Sequence, residues 1–138
     1  MSDQGLTRPA AGNYEVRLTL LAEPSSVVLA RDLVRYALTN WGCGGDLVHD
    51  SVLVMSEIVT NAVGAARGQR IRLRCALQDQ APLLECWDPC PSLPVLRAAC
   101  ETAEAGRGLA IIAAYAKETG IRPSATGQGK IVWALMPI

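Results

Sequence analysis

The sequence lacks three features that would place it in a common class at once: excess charge of one sign, a long apolar run, and a leader-like N-terminus. Its 13 basic residues balance 13 acidic ones, which leaves no electrostatic footprint for nucleic acid or an anionic membrane. The longest apolar runs, such as residues 109–116, are far too short to span a bilayer. The polar N-terminus does not follow the charged-then-apolar pattern of a signal peptide. These absences predict a cytoplasmic protein with no direct nucleic-acid or membrane partner.

Paired cysteines are also lacking. The five cysteines form no C-x-x-C motif: Cys43, Cys75, Cys86, Cys90 and Cys100. Cys86 and Cys90 lie four residues apart, but the single histidine, His49, is distant from them in sequence. Because a zinc site needs about four ligands at a recognisable spacing, we interpret the cysteines as reduced and partly buried.

The length of 138 residues suits one domain with a single core. We expect residues 1–13 to form a flexible tail and residues 14–138 to form the domain. Residues 14–22 alternate between apolar and polar side chains, which predicts a half-buried strand. A helix is predicted over 25–41, with N-cap chemistry at Pro24-Ser25-Ser26. Its apolar residues lie close to helical spacing: Val28, Leu29, Leu33, Tyr36, Ala37 and Trp41.

A second helix is predicted over 46–66, capped by Asp46, with an apolar set that would face the core: Leu47, Val54, Ile58 and Val63. After Gly68 the period changes. Residues 71–77 and 82–88 read as a hairpin, and the prolines of 89–95 rule out regular structure there. A glycine-opened helix over 106–117 and two strands around a turn at 127–129 complete the chain. The order β-α-α-β-β-loop-α-β-β predicts an α+β two-layer sandwich, a mostly antiparallel mixed sheet with helices on one face.

Glu57 and Asn61 form one polar spot on the second predicted helix, because residues i and i+4 point the same way. The Asn61 side chain offers a carbonyl oxygen, a ligand suited to Mg²⁺. The Glu57 carboxylate can accept a proton from a nearby hydroxyl. The small side chains near Ala65 would let a bulky ligand approach the helix. A solvent-exposed polar face is the alternative interpretation of the pair.

Two further features could contact a nucleotide. Asp88 ends a predicted strand before Pro89-Cys90-Pro91, and its carboxylate suits an exocyclic amine such as adenine N6; a turn-forming aspartate before proline is the alternative. Gly106-Arg107-Gly108-Leu109 opens a predicted helix, whose free N–H groups could bind phosphate. The sequence contains neither a P-loop nor a dinucleotide-binding glycine motif.

The segments SEIVTNAV, WDPCPSLP, GRGLAII and GKIVWALM occur in this order. Together they resemble the conserved boxes of the GHKL ATPase superfamily, which has the Bergerat ATP-binding fold. The small branch of anti-sigma-factor serine kinases and related bacterial regulatory ATP-binding proteins is the most similar, and PSSVVLARDLVRYAL resembles that branch's first helix. The resemblance covers nearly the whole chain from about residue 14. The excess of 11 arginines over 2 lysines agrees with a GC-rich bacterial genome.

The resemblance implies a role for each matching residue. Glu57 would be the general base, and Asn61 would bind Mg²⁺. Asp88 would accept a hydrogen bond from the adenine amine. The remaining nucleotide-binding positions would be Ala65, Cys90, Gly106, Arg107, Gly108, Leu109 and Lys130, with the glycines along the phosphates and Lys130 on the adenine or lid side. The implied partners are a sigma factor and a STAS-type anti-anti-sigma antagonist whose serine receives the γ-phosphate, and a homodimer is plausible.

The sequence departs from the family pattern at several positions. Cys90 replaces the first-box glycine, Val63-Gly64-Ala65 stands where many members have a histidine after Asn61, and Lys130 stands where distant relatives have threonine. The lid, about 92–105, is short. These departures affect catalysis more than nucleotide binding, since Glu57, Asn61 and Asp88 are all retained.

Three readings therefore remain open at this level. The preferred one is a Mg²⁺·ATP-dependent protein serine kinase that is also an anti-sigma factor. The second is an ATP-binding regulator that sequesters a partner without phosphoryl transfer, and the third is an α+β domain without nucleotide. His49-Asp50 superficially matches the phospho-acceptor of a sensor kinase, but it lies on the same predicted helix as Glu57. A solvated or packing histidine is the favoured interpretation.

Overall fold

The structure is a computed structural model that describes residues 14–90 and 103–138, with side chains described from residue 109 onward in the second range. The described residues form five strands and three helices in the predicted order. These are β1 (Glu15–Leu21), α1 (Pro24–Asn40), α2 (Gly45–Ala65), β2 (Arg70–Gln78), β3 (Ala81–Asp88), α3 (Ala103–Tyr115), β4 (Glu118–Pro123) and β5 (Lys130–Leu135). None of the described helices is both long and apolar enough to cross a membrane. The predicted tail, 1–13, and most of the predicted lid, 92–105, lie outside the described residues.

The five strands form one sheet in the order β1-β2-β3-β5-β4. All four pairings in the described part of the chain are antiparallel, so the expectation of a mixed sheet is corrected. The predicted hairpin of β2 and β3 is confirmed. Its two-residue turn has positive φ at Asp79 (51°) and Gln80 (71°), the combination that matches the twist of paired strands. Strand β5 enters the sheet between β3 and β4, which places the C-terminal strand beside the end of the hairpin.

The core lies between the sheet and α2, which packs on β3 and contacts both α1 and α3. The residues of α2 that were expected to face the core do so: Val54 and Ile58 are fully buried, Val63 is buried, and Leu47 packs at the edge. Alternate residues of the central strands meet them from the sheet: Ile71, Leu73, Cys75, Leu84, Cys86, Val132 and Ala134. The fold is therefore the predicted two-layer α+β sandwich, with α2 central among the helices.

Helix α1 packs through some of its apolar residues and leaves others exposed. Val28, Leu29 and Tyr36 are about half exposed. The buried stripe facing α2 consists mainly of smaller side chains: Ala30, Val34, Ala37 and Leu38. Of the predicted apolar set, Ala37 is buried, and Leu33 and Trp41 pack against the core. The predicted helix is confirmed.

Both predicted N-caps are corrected. Helix α1 begins with Pro24 at its first position and Glu23 at the N-cap, and the Ser26 hydroxyl accepts a 3.4 Å hydrogen bond from the Glu23 N–H. Ser26 Oγ also donates to the Leu21 carbonyl, which ties the helix to the end of β1. Helix α2 begins after Gly44, so that Asp46 lies in its first turn and favours the helix dipole without capping it.

Helix α3 starts earlier than predicted. It runs from Ala103 to Tyr115, whereas the glycines at 106 and 108 predicted a start at 106 and an end at 117. Alanine and glutamate are strong helix formers, so residues 103–105 extend the helix ahead of the glycines. At the other end, the Lys117 N–H bonds to the Leu135 carbonyl at 2.8 Å. That bond commits residue 117 to the sheet.

The sheet face away from the helices carries a chain of ion pairs across four strands. Arg74 on β2 donates to Glu15 Oε1 at 3.0 Å and to Glu85 Oε1 at 3.2 Å. Arg122 on β4 donates to the other oxygen of Glu85 at 2.8 Å. A hydrogen bond from Arg17, more than any other contact, lowers the pKa of Glu15 from its ordinary value. Arg74 and Glu85 are directly opposite one another on neighbouring strands, an arrangement that stabilises the pairing of those strands.

The turn between β4 and β5 fits closely against the end of β3. Gly129 has φ of +77°, and a Cβ built on it would lie 2.1 Å from the Asp88 carbonyl oxygen and 2.9 Å from Pro89 Cα. Trp87 Nε1 donates to the Gln128 carbonyl at 2.8 Å. Glycine is required at 129 for both conformation and space. Gly127 has a similar φ of +80° but nothing within 4 Å of an added Cβ.

This pair of glycines gives a matched test of the close contact. We expect Gly127→Ala to lower the free energy of unfolding by about 1 kcal/mol, the conformational cost alone. Gly129→Ala should cost about 3 kcal/mol, since the methyl group must also displace backbone. Urea unfolding of both variants measures the difference. Equal losses would show that the turn moves away from β3 at little cost.

The buried cysteines give a second test. Burial raises the pKa of Cys75 to about 12, and burial, followed by the charge of Asp88, raises the pKa of Cys86 above its ordinary value. Both thiols should therefore stay unmodified by maleimide at pH 8 in the native protein, and both should react in denaturant. Cys43 is partly exposed and should react natively. Peptide mass spectrometry locates the labels, and native labelling of Cys75 or Cys86 would contradict the packing.

The raised pKa values also have a consequence for stability. An unfolded thiol ionises near pH 8.5, whereas these two thiols keep their protons in the folded protein. Their contribution to the free energy of unfolding is complete below that pH and is lost as the pH rises above it. Stability should therefore decline from about pH 8.5 toward the folded-state pKa of Cys75, which is about 12, and replacing both cysteines by alanine should make that decline shallower.

Candidate functional site

Two charged side chains end the buried rows of the sheet. Asp88 and Lys130 are opposite one another at one end of the β3–β5 ladder. They continue the rows that contain Cys86 and Val132, and they point to the same side as those core residues. Asp88 is 1% exposed and Lys130 is 4% exposed. The edge of the core is therefore closed by a buried carboxylate and a buried ammonium.

Three hydrogen bonds connect Asp88, Lys130 and Cys90. Lys130 Nζ donates to Asp88 Oδ1 at 2.9 Å and to the Cys90 carbonyl at 2.8 Å. The Cys90 N–H donates to the same Asp88 oxygen at 2.8 Å. The bonds from Lys130 Nζ and from the Cys90 N–H both end on Asp88 Oδ1. Asp88 Oδ2 has no hydrogen-bond partner among the described residues. The carboxylate is thus held through one oxygen, and the other remains available as an acceptor.

The energetic value of this arrangement lies in its completeness. Two buried charges cost several kcal/mol each to desolvate, and a well-bonded pair offsets that cost. Removing one partner alone leaves an uncompensated buried charge, at a cost of about 3–5 kcal/mol. Asp88, Cys90 and Lys130 were all predicted as site residues, and the structure brings them into direct contact.

Glu57 and Asn61 form a second group on α2. They lie one helical turn apart on one face, both partly buried, beside the core stripe that contains Ile58 and Ala62. Asn61 Nδ2 is enclosed and has no hydrogen-bond partner among the described residues. A buried amide donor without a partner costs about 1–3 kcal/mol. Ser51 Oγ and Arg74 Nε are likewise enclosed without a partner among the described residues.

The end of α2 leaves space beside this pair. Gly64 and Ala65 are exposed, and a Cβ added to Gly64 would meet nothing within 4 Å. The predicted close approach of a ligand at Ala65 is therefore sterically possible. Because α2 packs on β3, the Asn61 group and the Asp88 group belong to adjacent elements.

The glycine box lies on α3, which packs against α2 and β4. Gly106, Arg107 and Gly108 occupy the first two turns of this helix, and Leu109 packs at the edge of the core. The helix begins at residue 103, so the amide of Gly108 lies beyond the first four N–H groups that a helix leaves free. The glycines do not open the helix, and the free amides belong to the residues that precede Arg107.

Other candidate residues lie elsewhere. The His49 side chain is 81% exposed, with Asp50 at 3.5 Å, which confirms a solvated histidine. Within the described residues, no group of three or more histidine, cysteine or acidic side chains could hold a metal ion. A cavity of about 490 Å³ between α1 and α2 is lined in part by Arg31, Arg35 and His49. It contains none of the predicted site residues.

Sequence reasoning missed two residues that support the group formed by Asp88, Cys90 and Lys130. Trp87 and Gln128 fix the position of the turn that precedes Lys130, through the indole N–H bond. The guanidinium of Arg72 lies 4.7 Å from the centre of the Trp87 ring, a cation–π contact on the outer face. Strand alternation places Trp87 opposite in direction to Asp88, but the Gln128 contact joins residues 41 apart in sequence. No local pattern predicts it.

Comparisons with known proteins agree with this geometry. The chain is similar to the RsbU and RsbW domains of Rv1364c from Mycobacterium tuberculosis, with a TM-score of 0.67 and 24% identity over 88% of this chain. The match spans 32% of that protein's chain, so the likeness concerns one part of a longer molecule. A search among curated proteins finds no match. The model of the histidine kinase-like ATPase domain matches residues 20–136.

The family match runs from the end of β1 through β5, and it includes Asp88 and Lys130 at the strand ends and Glu57 and Asn61 on α2. It confirms the resemblance to GHKL ATPases that the four ordered boxes indicated. The chain belongs to the histidine kinase-like ATPase domain family.

Proposed function

We propose that this protein is a Mg²⁺·ATP-binding regulator: an anti-sigma factor with serine kinase activity toward an antagonist protein. The observation that carries the proposal is the Asp88 carboxylate, buried at the sheet end with one oxygen fixed and one free. A fixed, acceptor-only group suits the exocyclic amine of adenine. The family match supports ATP as the nucleotide.

The α2 pair would supply the phosphate end of the site. The Asn61 amide has an enclosed nitrogen without a partner among the described residues, whereas its carbonyl oxygen is not enclosed in this way. A carbonyl oxygen is a ligand type that Mg²⁺ accepts together with water and phosphate oxygens. Asn61 would hold the ion through that oxygen. The bound ion would neutralise charge on the phosphates.

Glu57 would accept the proton of the attacking serine hydroxyl. It precedes Asn61 by one helical turn on the same face, so an acceptor protein would meet the carboxylate beside the phosphates. In phosphoryl transfer, positioning and charge neutralisation provide most of the rate, and the base orients the nucleophile. The proposed partners, a sigma factor and a STAS-type antagonist, are those that the family branch implies. A homodimer is proposed on the same basis.

A non-catalytic regulator is the second candidate, and the start of α3 favours it. Helix α3 encloses the Gly108 amide in its own hydrogen bonding, and Gly106 and Gly108 do not open the helix. The free N–H groups of the helix would then belong to residues ahead of Arg107 and not to the glycine box. In this candidate, ATP sets the shape of a partner-binding surface and is not consumed.

Nucleotide binding comes first among the tests. Calorimetric titration with ATP and GTP, each with and without Mg²⁺, should give adenine-selective, Mg²⁺-dependent binding. Asn61→Ala should weaken Mg²⁺·ATP binding about tenfold or more and reduce the effect of Mg²⁺. Thr60→Ala is the matched control, because Thr60 is exposed on the same helix and its hydroxyl bonds only to the Ser56 carbonyl. Absence of binding at millimolar ATP would contradict the proposal.

Phosphoryl transfer separates the two candidates. With a STAS-type antagonist and labelled ATP, the wild-type protein should phosphorylate a serine of the antagonist. Glu57→Gln keeps the shape of the side chain and should abolish transfer while leaving the ATP dissociation constant within about threefold, because the base acts on the acceptor. Wild-type ATP binding without transfer would favour the non-catalytic regulator. Loss of ATP binding in Glu57→Gln would assign Glu57 a structural role.

A further inference from the structure

We infer that Lys130 is the positioning residue that gives the site its preference for a 6-amino purine over a 6-oxo purine. This inference rests on the proposed nucleotide-binding function and adds a role that the position of Lys130 in the family boxes does not specify. Lys130 acts through Asp88, and its own ammonium is engaged with Asp88 and the Cys90 carbonyl.

The orientation of the Asp88 carboxylate is fixed by its hydrogen bonds. Oδ1 accepts from two donors, Lys130 Nζ at 2.9 Å and the Cys90 N–H at 2.8 Å. Two donors on the same oxygen fix the carboxylate group and leave Oδ2 as the free acceptor. Without Lys130, the single bond from Cys90 would permit rotation about the side-chain torsion.

Lys130 also provides the positive charge that pairs with Asp88. Asp88 is 1% exposed, and among the described residues Lys130 is the cation that contacts it. A buried carboxylate is costly to desolvate unless it is paired and hydrogen-bonded. The Lys130 side chain is also buried, with 4% of its surface exposed. The ammonium therefore maintains a fixed anion at the point where the base would bind.

A fixed Asp88 oxygen would select between 6-amino and 6-oxo purines. A fixed carboxylate oxygen accepts a hydrogen bond from a 6-amino group, whereas a 6-oxo group would place acceptor against acceptor. Sites discriminate most strongly when the wrong ligand leaves a buried polar group unpaired or opposed. Because rejection requires that the oxygen not rotate, the specificity depends on Lys130 even though Lys130 does not contact the base.

The backbone that precedes Lys130 is also held in place. Gly129, the neighbour of Lys130, is pressed against the Asp88 carbonyl, and Trp87 holds the carbonyl of Gln128 at 2.8 Å. The Lys130 backbone is thus fixed by contacts on the preceding two residues. A long side chain from a fixed backbone can hold Asp88 in one orientation.

The experiment compares ATP with inosine triphosphate, which differs from ATP in the base by its 6-oxo group and the N1 proton. Calorimetry with Mg²⁺ gives the ratio of the two dissociation constants for each variant. We expect wild-type protein to prefer ATP by about 100-fold or more, and Lys130→Met to reduce the ratio about tenfold or more. ATP should bind more weakly to Lys130→Met, while inosine triphosphate should change little or bind more tightly.

The matched control is Arg122→Met. Arg122 also donates to a carboxylate, Glu85, at 2.8 Å, and it lies one residue before the partner of Lys130 in the β4–β5 ladder. Its pair lies on the outer face, so this variant removes a cation without touching Asp88 and should keep the wild-type ratio. Lys130→Gln is the second variant in case Lys130→Met does not fold. Glutamine retains a donor without the charge, and its ratio should lie between wild type and Lys130→Met.

The outcomes separate this inference from the proposed function. An unchanged ratio in the folded Lys130 variants, with both nucleotides weakened equally or not at all, overturns the inference and leaves ATP binding intact. A ratio that falls equally in Arg122→Met overturns it as well, because the effect would then be general. If wild-type protein binds neither nucleotide, the proposed function fails, and the inference fails with it.

Discussion

The candidate site depends on one buried ion pair, between Asp88 and Lys130 at the end of β3 and β5. Charges of this kind are tolerated in a core only when each is paired and its hydrogen bonds are satisfied. The pair is made possible by the sheet order, which places β5 directly beside β3. It also organises the chain around it, since the ammonium holds the backbone of Cys90 and the turn before Lys130 is fixed against β3.

Stability and function oppose each other at two places near this pair. The core of α2 is apolar and well packed, yet it includes Asn61 with an enclosed nitrogen that has no partner in the described part of the chain. Asp88 likewise leaves one oxygen without a partner there. Unmet hydrogen-bonding capacity reduces the stability of the ligand-free protein. A ligand that donates a hydrogen bond to the free Asp88 oxygen would recover part of this loss.

Much of the fold could be predicted from local sequence, because alternation in β2 and β3 and helical spacing in α2 are strong periodic signals. The buried face of α1 could not, since Val28, Leu29 and Tyr36 compete with the smaller buried residues and only contact with α2 decides between them. The start of α3 was misjudged because glycines were taken as a helix boundary, although the alanine-rich segment before them is a better helix former. For the site, ordered motifs identified Asp88 and Lys130 individually. Their pairing required the β3–β5 ladder, which joins residues 42 apart in sequence.

Trp87 connects the two faces of the sheet end. Its ring lies beside Arg72 on the outer face, and its N–H is bonded to the turn that carries Gly129 and leads into Lys130. The indole is a fluorophore whose emission depends on its hydrogen bonding and on nearby charge. Any displacement of that turn changes the environment of the Trp87 indole directly. The Trp87 indole is therefore an intrinsic fluorescent probe that directly precedes Asp88 in the sequence and lies on the opposite face of the strand.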